Sequence, residues 1–270
     1  MPHPAWNKRL TPEVEGLIVE QYRGGLSAGE ILKGIPFKTK KTVYDVLERH
    51  GVRRRGGPAD YKKSFDEAAF AVSDTAEKAY WLGLLITDGY VVEATEGVGS
   101  PVVGLQMIDR EAAEGFRNFL GLQHPVLRIE PKGERHQPMY RAVCHSRRMA
   151  NDLARFGGVP RKSHGTFLPL LAEDLMPHLI RGLFDGDGTA SRRADGQLLV
   201  GFCGSERLVA EVRMWLICRL DISDNRVHEN GTIRYVQWSH RSDVRRIARY
   251  LYEGGGPRLS RKYELLGECL

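Results

Sequence analysis

Apolar residues recur at helical spacing in the first fifty residues and divide that segment into three short helices. We predict helices over 12–22, 27–33 and 40–50. Thr11 can cap the first of them, with Pro12 at its first position. Ser27 and Glu30 form a capping box for the second, and Gly51 ends the third. The three apolar faces together can bury one small core.

From residue 65 onward, the pattern of apolar positions predicts the same order of elements twice. The first copy comprises a helix over 75–86, strands near 90–94 and 102–107, a helix over 110–120, strands near 126–131 and 139–144, and a helix over 147–156. The second comprises a helix over 176–184, a strand and turn over 190–196, a strand over 198–203, a helix over 206–220, strands near 225–229 and 233–238, and a helix over 243–252. Each copy is αββαββα, and VVGLQMIDRE at 102–111 aligns with LVGFCGSERL at 199–208.

This duplication predicts an α+β fold. Two αββαββα units form a pseudo-two-fold saddle of two antiparallel sheets, preceded by a small three-helix domain. Such a surface suits a partner that is itself two-fold, and duplex DNA is one. We expect a helix-turn-helix-like DNA-binding domain over 1–57, a linker over 58–66, the first repeat over 67–165 and the second over 166–270.

The composition is that of a globular protein and adds one local feature. Hydrophobic residues make up 41% and charged residues 27% of the 270, and no apolar run approaches the ~18 residues of a membrane span. The start MPHPAWNKRL lacks the apolar core of a signal peptide, so we expect the cytoplasm or nucleoid, with an organelle left open. Four cysteines without a CxxC pair argue against a zinc site.

The net charge of the chain is +6, and most of it lies at the N-terminus. Residues 1–57 contain 11 Lys/Arg and 6 Asp/Glu.

The basic N-terminal segment resembles a known DNA-binding motif. A short turn over 34–37 is followed by the Lys- and Thr-rich sequence KTKKTVYDVLERHG at 38–51. This arrangement resembles the helix-turn-helix of resolvases and transposases, which implies duplex DNA as the partner. The basic residues expected to contact DNA here are Lys38, Lys40, Lys41, Arg53, Arg54 and Arg55. A generic three-helix bundle with a solvated basic face is the alternative.

Two matched apolar segments, YWLGLLITDGY at 80–90 and LIRGLFDGDGT at 179–189, contain the candidate chemistry. Each is predicted to be a helix with one glycine at the same register, Gly83 or Gly182. A glycine inside a helix costs about 1 kcal/mol relative to alanine. The matched glycines therefore predict a close helix-helix interface.

Each of these helices ends in an aspartate followed by a glycine. Gly89 and Gly188 are expected to adopt the left-handed conformation that ends a helix, which leaves Asp88 and Asp187 at the C-terminal ends. A carboxylate there opposes the partial negative charge of the helix end, and two such carboxylates repel each other. Divalent cations would relieve both effects, and carboxylate oxygens favour Mg²⁺, which can activate water for phosphodiester hydrolysis. The alternative is a turn role for each Asp-Gly dipeptide.

With these two segments the chain resembles the LAGLIDADG homing endonucleases, specifically the single-chain kind with two motifs. The nine-residue motif falls on 81–89 and 180–188, and the resemblance covers roughly 65–270. It implies a saddle of two four-stranded sheets that reads the major groove of a long asymmetric DNA target. It also implies a monomer that cuts both strands with Mg²⁺, or Mn²⁺ as a substitute, and leaves 3′ overhangs.

The resemblance also implies roles for particular residues. In that family the last acidic residue of each motif binds the metal ions, which implies Asp88 and Asp187 here, with nearby main-chain carbonyls as additional ligands. Ile86 stands where the first aspartate of the motif is usual, whereas Asp185 keeps it. Neither of those two positions is a metal ligand in the family.

Basic residues complete the expected site. The family places one near each scissile phosphate, late in each repeat, and the matching catalytic candidates are Lys162 and Lys262, at 74 residues after Asp88 and 75 after Asp187. Solvated surface lysines are the alternative. Strand residues that alternate with apolar ones are further candidates for DNA contact, although exposed sheet faces are polar in any case. They are Arg128, Lys132, Arg141, Arg192, Arg193, Arg226, Arg234 and Gln237.

We therefore predict a site-specific, metal-dependent endonuclease that cuts double-stranded DNA, with no membrane partner and no small-molecule substrate. Two other functions stay open: a non-cleaving transcriptional regulator that binds DNA, and an intron RNA maturase. The presence of both aspartates and both lysines argues against a regulator. The residues alone do not distinguish a maturase from an endonuclease. An intein is not expected, because the chain starts at Met1 and ends in GECL without a His-Asn pair.

Overall fold

The computed structural model describes residues 10–24, 26–37, 39–54, 65–94, 99–131, 137–157 and 166–270. The chain divides into two units, Met1–Lys63 and Ser64–Leu270. Most of the predicted linker lies outside the described residues, as do four of the residues singled out above: Lys38, Arg55, Lys132 and Lys162.

The described residues of the N-terminal unit form three helices, as the sequence predicts. They are α1 (Pro12–Arg23), α2 (Ala28–Ile31) and α3 (Lys40–Arg49). The capping box is present, because Ser27 Oγ accepts from Glu30 N at 3.3 Å and Ser27 N donates to the Glu30 carboxylate at 2.8 Å. Ile18, Val43 and Leu47 are buried between the helices.

The larger unit contains the duplicated element order that the sequence predicts. The first repeat comprises α4 (Ala76–Thr87), β1 (Gly89–Val92), β2 (Val102–Met107), α5 (Arg110–Leu120), β3 (Leu127–Ile129), β4 (Met139–His145) and α6 (Arg147–Arg155). The second comprises α7 (Met176–Asp187), β5 (Thr189–Arg192), β6 (Leu198–Gly204), α8 (Glu206–Leu220), β7 (His228–Asn230), β8 (Ile233–Trp238) and α9 (Arg241–Tyr252). A further helix, α10 (Ser260–Gly267), has no counterpart in the prediction. The fold is α+β, and none of the helices in the described residues is long and apolar enough to cross a membrane.

The strands form two four-stranded antiparallel sheets with the same topology. Sheet A has the order β1-β2-β4-β3, and sheet B has the order β5-β6-β8-β7. One face of each sheet is buried against helices, with Val103 and Leu105 of sheet A and Val200 and Val236 of sheet B fully buried. The strand residues that alternate with these buried ones point to the second face of each sheet, the open face. Their side chains are half-buried or exposed.

Strand register places three of the arginines expected to contact DNA on the helix-covered face. Residues paired across a ladder, and residues two apart along a strand, lie on the same face of a sheet. By this rule Arg128, Arg192 and Arg234 lie on the face of the buried residues, contrary to the expectation. Arg192 and Arg234 form ion pairs with Glu268 and Glu229. The register partners of the three arginines are Tyr140, Leu198 and Gly204.

Candidate metal centre at the paired helix ends

Helices α4 and α7 pack with their backbones in direct contact. A Cβ atom added to Gly83 would lie 2.2 Å from the carbonyl oxygen of Leu179, and one added to Gly182 would lie 2.1 Å from that of Tyr80. Both distances are far below a van der Waals contact of about 3.5 Å. Only glycine permits this separation, which brings the C-terminal ends of the two helices together.

The chain passes directly from each helix into a strand. Gly188 has φ −74° and ψ 157°, and Gly89 also lies outside the left-handed region. The predicted left-handed turns are therefore wrong, because β1 and β5 each begin after one intervening residue and need extended backbone. Glycine is required for a different reason. A Cβ at Gly89 would lie 2.6 Å from the carbonyl oxygen of Leu85, and one at Gly188 would lie 2.4 Å from that of Phe184.

Asp88 and Asp187 lie at the two helix ends that meet. Asp88 is the C-cap of α4, and Asp187 is the last residue of α7. A Cβ added to Gly186 would lie 1.9 Å from Thr87 Oγ1 and 2.9 Å from Asp88 Oδ2, so the Asp88 carboxylate rests against the residue before Asp187. Sequence reasoning missed Gly186. The sequence does contain a signal for it, because Gly186 aligns with Thr87 across the duplication. A threonine at both positions would produce a steric clash.

The thiol of Cys203 lies against the same helix ends. Its Sγ donates to the carbonyl oxygen of Asp187 at 2.8 Å. Burial raises the pKa of the Cys203 thiol, and the negative charges of Asp187 and Asp88 raise it further. Thr87, Asp187 and Cys203 line one cavity, so the thiol lies where the two helix ends meet. No motif in the sequence points to Cys203, whose aligned residue in the first repeat is Gln106.

Lys262 is buried beneath the end of α7, unlike a solvated surface lysine. Its residue is 3% exposed. Nζ donates to the carbonyl oxygens of Phe184, Asp185 and Gly188 at 2.5, 2.9 and 2.6 Å. Burial lowers the pKa of Lys262 to about 8 and the negative charge of Asp185 opposes that effect, so the ammonium is still protonated at neutral pH. It places a positive charge at the negative end of the helix and holds the last turn in place.

Asp185, the other acidic residue of the second motif, belongs to the core. Its Oδ2 accepts from the Tyr80 hydroxyl at 2.9 Å and from Leu259 N at 2.8 Å. Burial raises the pKa of Asp185 to about 6, although these hydrogen bonds and the charge of Arg181 oppose the shift. Its counterpart Ile86 is equally buried in the first repeat. The Asp185 carboxylate thus ties α7 to α4 and to the segment before α10.

Helix α10 joins the second repeat to the first. Ser260 donates from N and Oγ to the Glu111 carboxylate at 2.7 and 2.6 Å. Arg261 donates from Nε and Nη2 to the two carboxylate oxygens of Asp109 at 2.8 and 3.1 Å, and this pairing raises the pKa of Arg261. Lys262 follows directly in the chain, so contacts with the first repeat fix the position of a residue that acts on the second.

The candidate DNA-contacting residues of the N-terminal unit are exposed: Lys40, Lys41, Arg53 and Arg54. Two of them are partly neutralised by neighbours. Lys41 pairs with Asp45 at 2.7 Å, and Arg54 lies 3.4 Å from the Glu48 carboxylate and 4.7 Å from the ring centre of Tyr44. The positive charge of this surface is therefore smaller than the count of basic residues indicates.

Four of the candidates in the larger unit do lie outside the helix-covered faces. Arg141 and Gln237 are on the open faces of sheets A and B, as their pairing with Gln106 and Gly201 shows. Arg193 lies in the turn after β5, 3.6 Å from the Asp195 carboxylate. The exposed side chain of Arg226 precedes β7.

No protein-family model matches the chain. Its curated relatives include the RecA proteins of Mycobacterium bovis and Mycobacterium tuberculosis, each 26% identical over 228 residues, which are 82% of this chain and 27% of the relative. The chain thus spans about a quarter of the length of these relatives.

Similar solved structures include that of the homing endonuclease I-WcaI bound to its DNA recognition sequence. It is 11% identical, with a TM-score of 0.51, and covers 80% of this chain and 96% of that one. The LAGLIDADG meganuclease I-AabMI bound to uncleaved DNA is 13% identical, with a TM-score of 0.47 over 72% of this chain and 88% of that one. Full-length DUF199/WhiA from Thermatoga maritima is 13% identical, with a TM-score of 0.47 over 75% and 63%. The likeness to I-WcaI is one of fold.

Proposed function

We propose that this chain is a site-specific endonuclease of the homing type, which cuts both strands of a long asymmetric DNA target with divalent metal ions held between Asp88 and Asp187 and leaves 3′ overhangs. The observation that carries the proposal is the meeting of the two helix ends, where the Asp88 carboxylate lies 2.9 Å from the Cβ position of Gly186, the residue before Asp187. The two LAGLIDADG-like motifs support the same reaction.

The donor set fits a hard divalent cation. Carboxylates at helix C-terminal ends oppose the partial negative charge of the helices and each other's charge, and a cation relieves both. No cluster of three or more His, Cys, Asp or Glu side chains among the described residues is placed to hold an ion. Water and phosphate oxygens would therefore complete the coordination shell, as Mg²⁺ prefers, and Mn²⁺ accepts the same ligands. A bound ion would supply a more acidic water and stabilise the leaving oxygen of the phosphodiester.

Lys262 has a positioning role in this proposal. The family resemblance implies a lysine close to the scissile phosphate, but Nζ already donates to three carbonyl oxygens of the α7 end. An ammonium held in this way fixes the last turn of α7, which carries Asp187, and offsets part of the negative charge of the site. Among the main-chain carbonyls proposed as additional metal ligands, those that Lys262 binds are already hydrogen-bonded.

The open faces of the sheets give the DNA a path past the carboxylates. Strand β1 starts directly after Asp88, and β5 starts two residues after Asp187. A duplex that lies over both open faces would therefore bring its backbone to the two aspartates. The exposed Lys40, Lys41, Arg53 and Arg54 support an additional DNA-binding role for the N-terminal unit, through phosphate contacts.

The proposal is tested with the full chain, Mg²⁺ and a library of random duplexes, in which cut ends are captured and sequenced. We expect one family of cut sites with 3′ overhangs. Asp88→Asn and Asp187→Asn should each abolish cutting of both strands while the affinity for the selected duplex is retained. Asp74→Asn is the matched control, because Asp74 lies beyond the opposite end of α4 and pairs with Lys78. This control should cut as the wild type does.

Other outcomes are equally informative. Undiminished cutting by either site variant would refute the assignment of the aspartates. Specific binding of DNA without cutting, in both Mg²⁺ and Mn²⁺, would identify a DNA-binding regulator instead. Metal binding is measured separately on the complex with uncut DNA, by the paramagnetic resonance of Mn²⁺. Loss of the bound signal in Asp88→Asn and its retention in Asp74→Asn are expected.

A further inference from the structure

The open face of sheet A is largely aliphatic. Register and parity place on it Val92, Val102, Leu127, Ile129, Met139 and Val143. Two of these side chains are well exposed, Val92 at 53% and Leu127 at 46%. Its polar side chains in the described strands are Tyr90, Gln106, Arg141 and His145, and Arg141 is the one Lys or Arg among them. An exposed apolar patch of this kind is typical of a binding surface.

The corresponding face of sheet B has different chemistry. Most of the side chains that its strands place there are neutral hydrogen-bonding ones, namely Thr189, Ser191, His228, Asn230, Tyr235 and Gln237. Leu199, Cys203 and Ile233 lie on the same face, and Ile233 is 49% exposed. The rings of His228 and Tyr235 stack, with centroids 5.2 Å apart and an angle of 19° between their planes. No strand position that the structure describes on this face is Lys or Arg. Two halves of one duplication therefore present unlike surfaces.

Bases in the major groove distinguish such surfaces. An aliphatic side chain can contact the 5-methyl group of thymine but forms no hydrogen bond with a base edge. Amide side chains pair with adenine through N6 and N7, whereas guanine is read by Arg or Lys. The apolar face is continuous with the candidate metal centre, because β1 begins directly after Asp88. Duplex DNA is therefore the occupant to which the site directs this face.

We infer that sheet A reads a thymine-rich half-site by apolar contact with methyl groups, while sheet B reads its half-site through neutral hydrogen-bonding groups. Among the described strand residues of sheet A, Arg141 is the one that would recognise guanine. This inference rests on the proposed function and adds the base composition and the asymmetry of the target.

Selection from the random library gives the first test. The two half-sites should differ, with thymine enriched and guanine depleted in one of them. Leu127→Arg identifies the half-site under sheet A, because only that half should change and should acquire guanine. Arg128→Ala is the matched control: it alters the next residue of the same strand, on the opposite face, and should leave the selected bases unchanged. A guanine-rich half-site that responds to Leu127→Arg would overturn the inference.

Replacement of thymine by deoxyuridine gives the second test, since it removes only the methyl group. In the half-site under sheet A, each replacement at a contacted base should weaken binding about fourfold, the equivalent of one buried CH₂ group. The same replacement in the other half should change the affinity by less than about twofold, except at a base that contacts Ile233. Val92→Ala should weaken wild-type binding and reduce the effect of deoxyuridine at one position. Equal effects in both halves, or none in either, would refute methyl contact by sheet A.

The outcomes distinguish failure of this inference from failure of the proposed function. If no duplex is selected and none is bound, the proposed function fails first. Site-specific cutting without the thymine bias leaves the function standing and rejects only the inference. A dimer in solution that Val92→Arg converts to a monomer would also overturn the inference, by showing that the apolar face contacts a second copy of the chain.

Discussion

Replacement of Gly83 or Gly182 by alanine is the most direct perturbation of the helix interface on which the site depends. The added methyl group would lie 2.2 Å from a carbonyl oxygen in the first case and 2.1 Å in the second. The obstacle is backbone, not the flexible end of a side chain. Helices α4 and α7 would therefore have to separate by about 1 Å to restore a contact of about 3.5 Å.

Two opposing effects set the size of the change in stability. Alanine favours a helix over glycine by about 1 kcal/mol. Overpacking of a tight interface costs about 1–3 kcal/mol, and rigid backbone on both sides makes the upper end the relevant one. We expect a net loss of about 2 kcal/mol and a melting temperature about 4–8 °C lower for a unit of this size. Cutting should fall further than stability does, by about 100-fold, because a 1 Å displacement separates the two aspartates.

The assay is thermal unfolding together with the cutting rate at saturating DNA, both measured well below the melting temperature of the variants. Gly267→Ala is the control, because this helical glycine of α10 has no atom within 4 Å of its Cβ position. It should be neutral or slightly stabilising. A melting temperature of Gly83→Ala that stays unchanged or rises would refute the close backbone contact. Normal cutting by a destabilised variant would show that the geometry of the site does not depend on this interface.

Three further perturbations test other parts of the structure. Lys262→Met should lower the cutting rate at least tenfold, measured well below the melting temperature of the variant, since the last turn of α7 loses its anchor; a rate within twofold would exclude the positioning role. Asp185→Asn should remove a pH dependence of stability. The folded pKa of about 6 lies above the ordinary value of 3.8, so the protonated carboxyl stabilises the fold at low pH and about 3 kcal/mol is lost as pH rises through 6. Denaturant unfolding of wild type and variant from pH 4 to 8 should show the difference, and parallel curves would contradict it. Deletion of residues 1–57 should weaken DNA binding and flatten its dependence on salt by about one unit of slope for each phosphate that the segment neutralises; an unchanged slope in a titration over a several-fold range of salt concentration would exclude binding of DNA by this segment.

The duplication explains why the fold was accessible from sequence. A single apolar pattern is ambiguous, but the same order of helices and strands in two copies restricts the choice, and the observed elements follow that order. The interface glycines could be identified for the same reason. Gly83 and Gly182 stand at one register in two helices, and a costly residue that recurs in this way indicates backbone contact.

Other features depended on information that the pattern does not contain. One example is the set Arg128, Arg192 and Arg234, which alternate with apolar residues along their strands. The register of the strand pairs decides which of the alternating residues face the helices. The sequence alone does not show this, because half-buried strand residues occur on both faces. The burial of Lys262 depends on the docking of α10 against Asp109, a contact between residues about 150 positions apart that no local periodicity records.

Gly89 and Gly188 show a third limit of sequence reasoning. A glycine after a helix favours the left-handed ending, but it is equally suited to a strand that folds back across the last helical turn. The choice depends on whether a strand begins at once, and here β1 and β5 do. Sequence position identified the right residues for the wrong conformational reason.

The departures from symmetry are concentrated where the two repeats meet. Residues that face each other across a pseudo-two-fold axis compete for the same space, so Gly186 is opposite Thr87, and one buried carboxyl at Asp185 is matched by Ile86. Two threonines would overlap, and two buried carboxylates would repel. A single chain can resolve these conflicts by making the copies different, whereas identical chains in a dimer must carry the same residue at both positions. The same freedom extends outward to the sheets, where the open face of sheet A is largely aliphatic and that of sheet B is mainly polar. Under the proposed function, each half of an asymmetric DNA target would therefore meet a surface of its own chemistry.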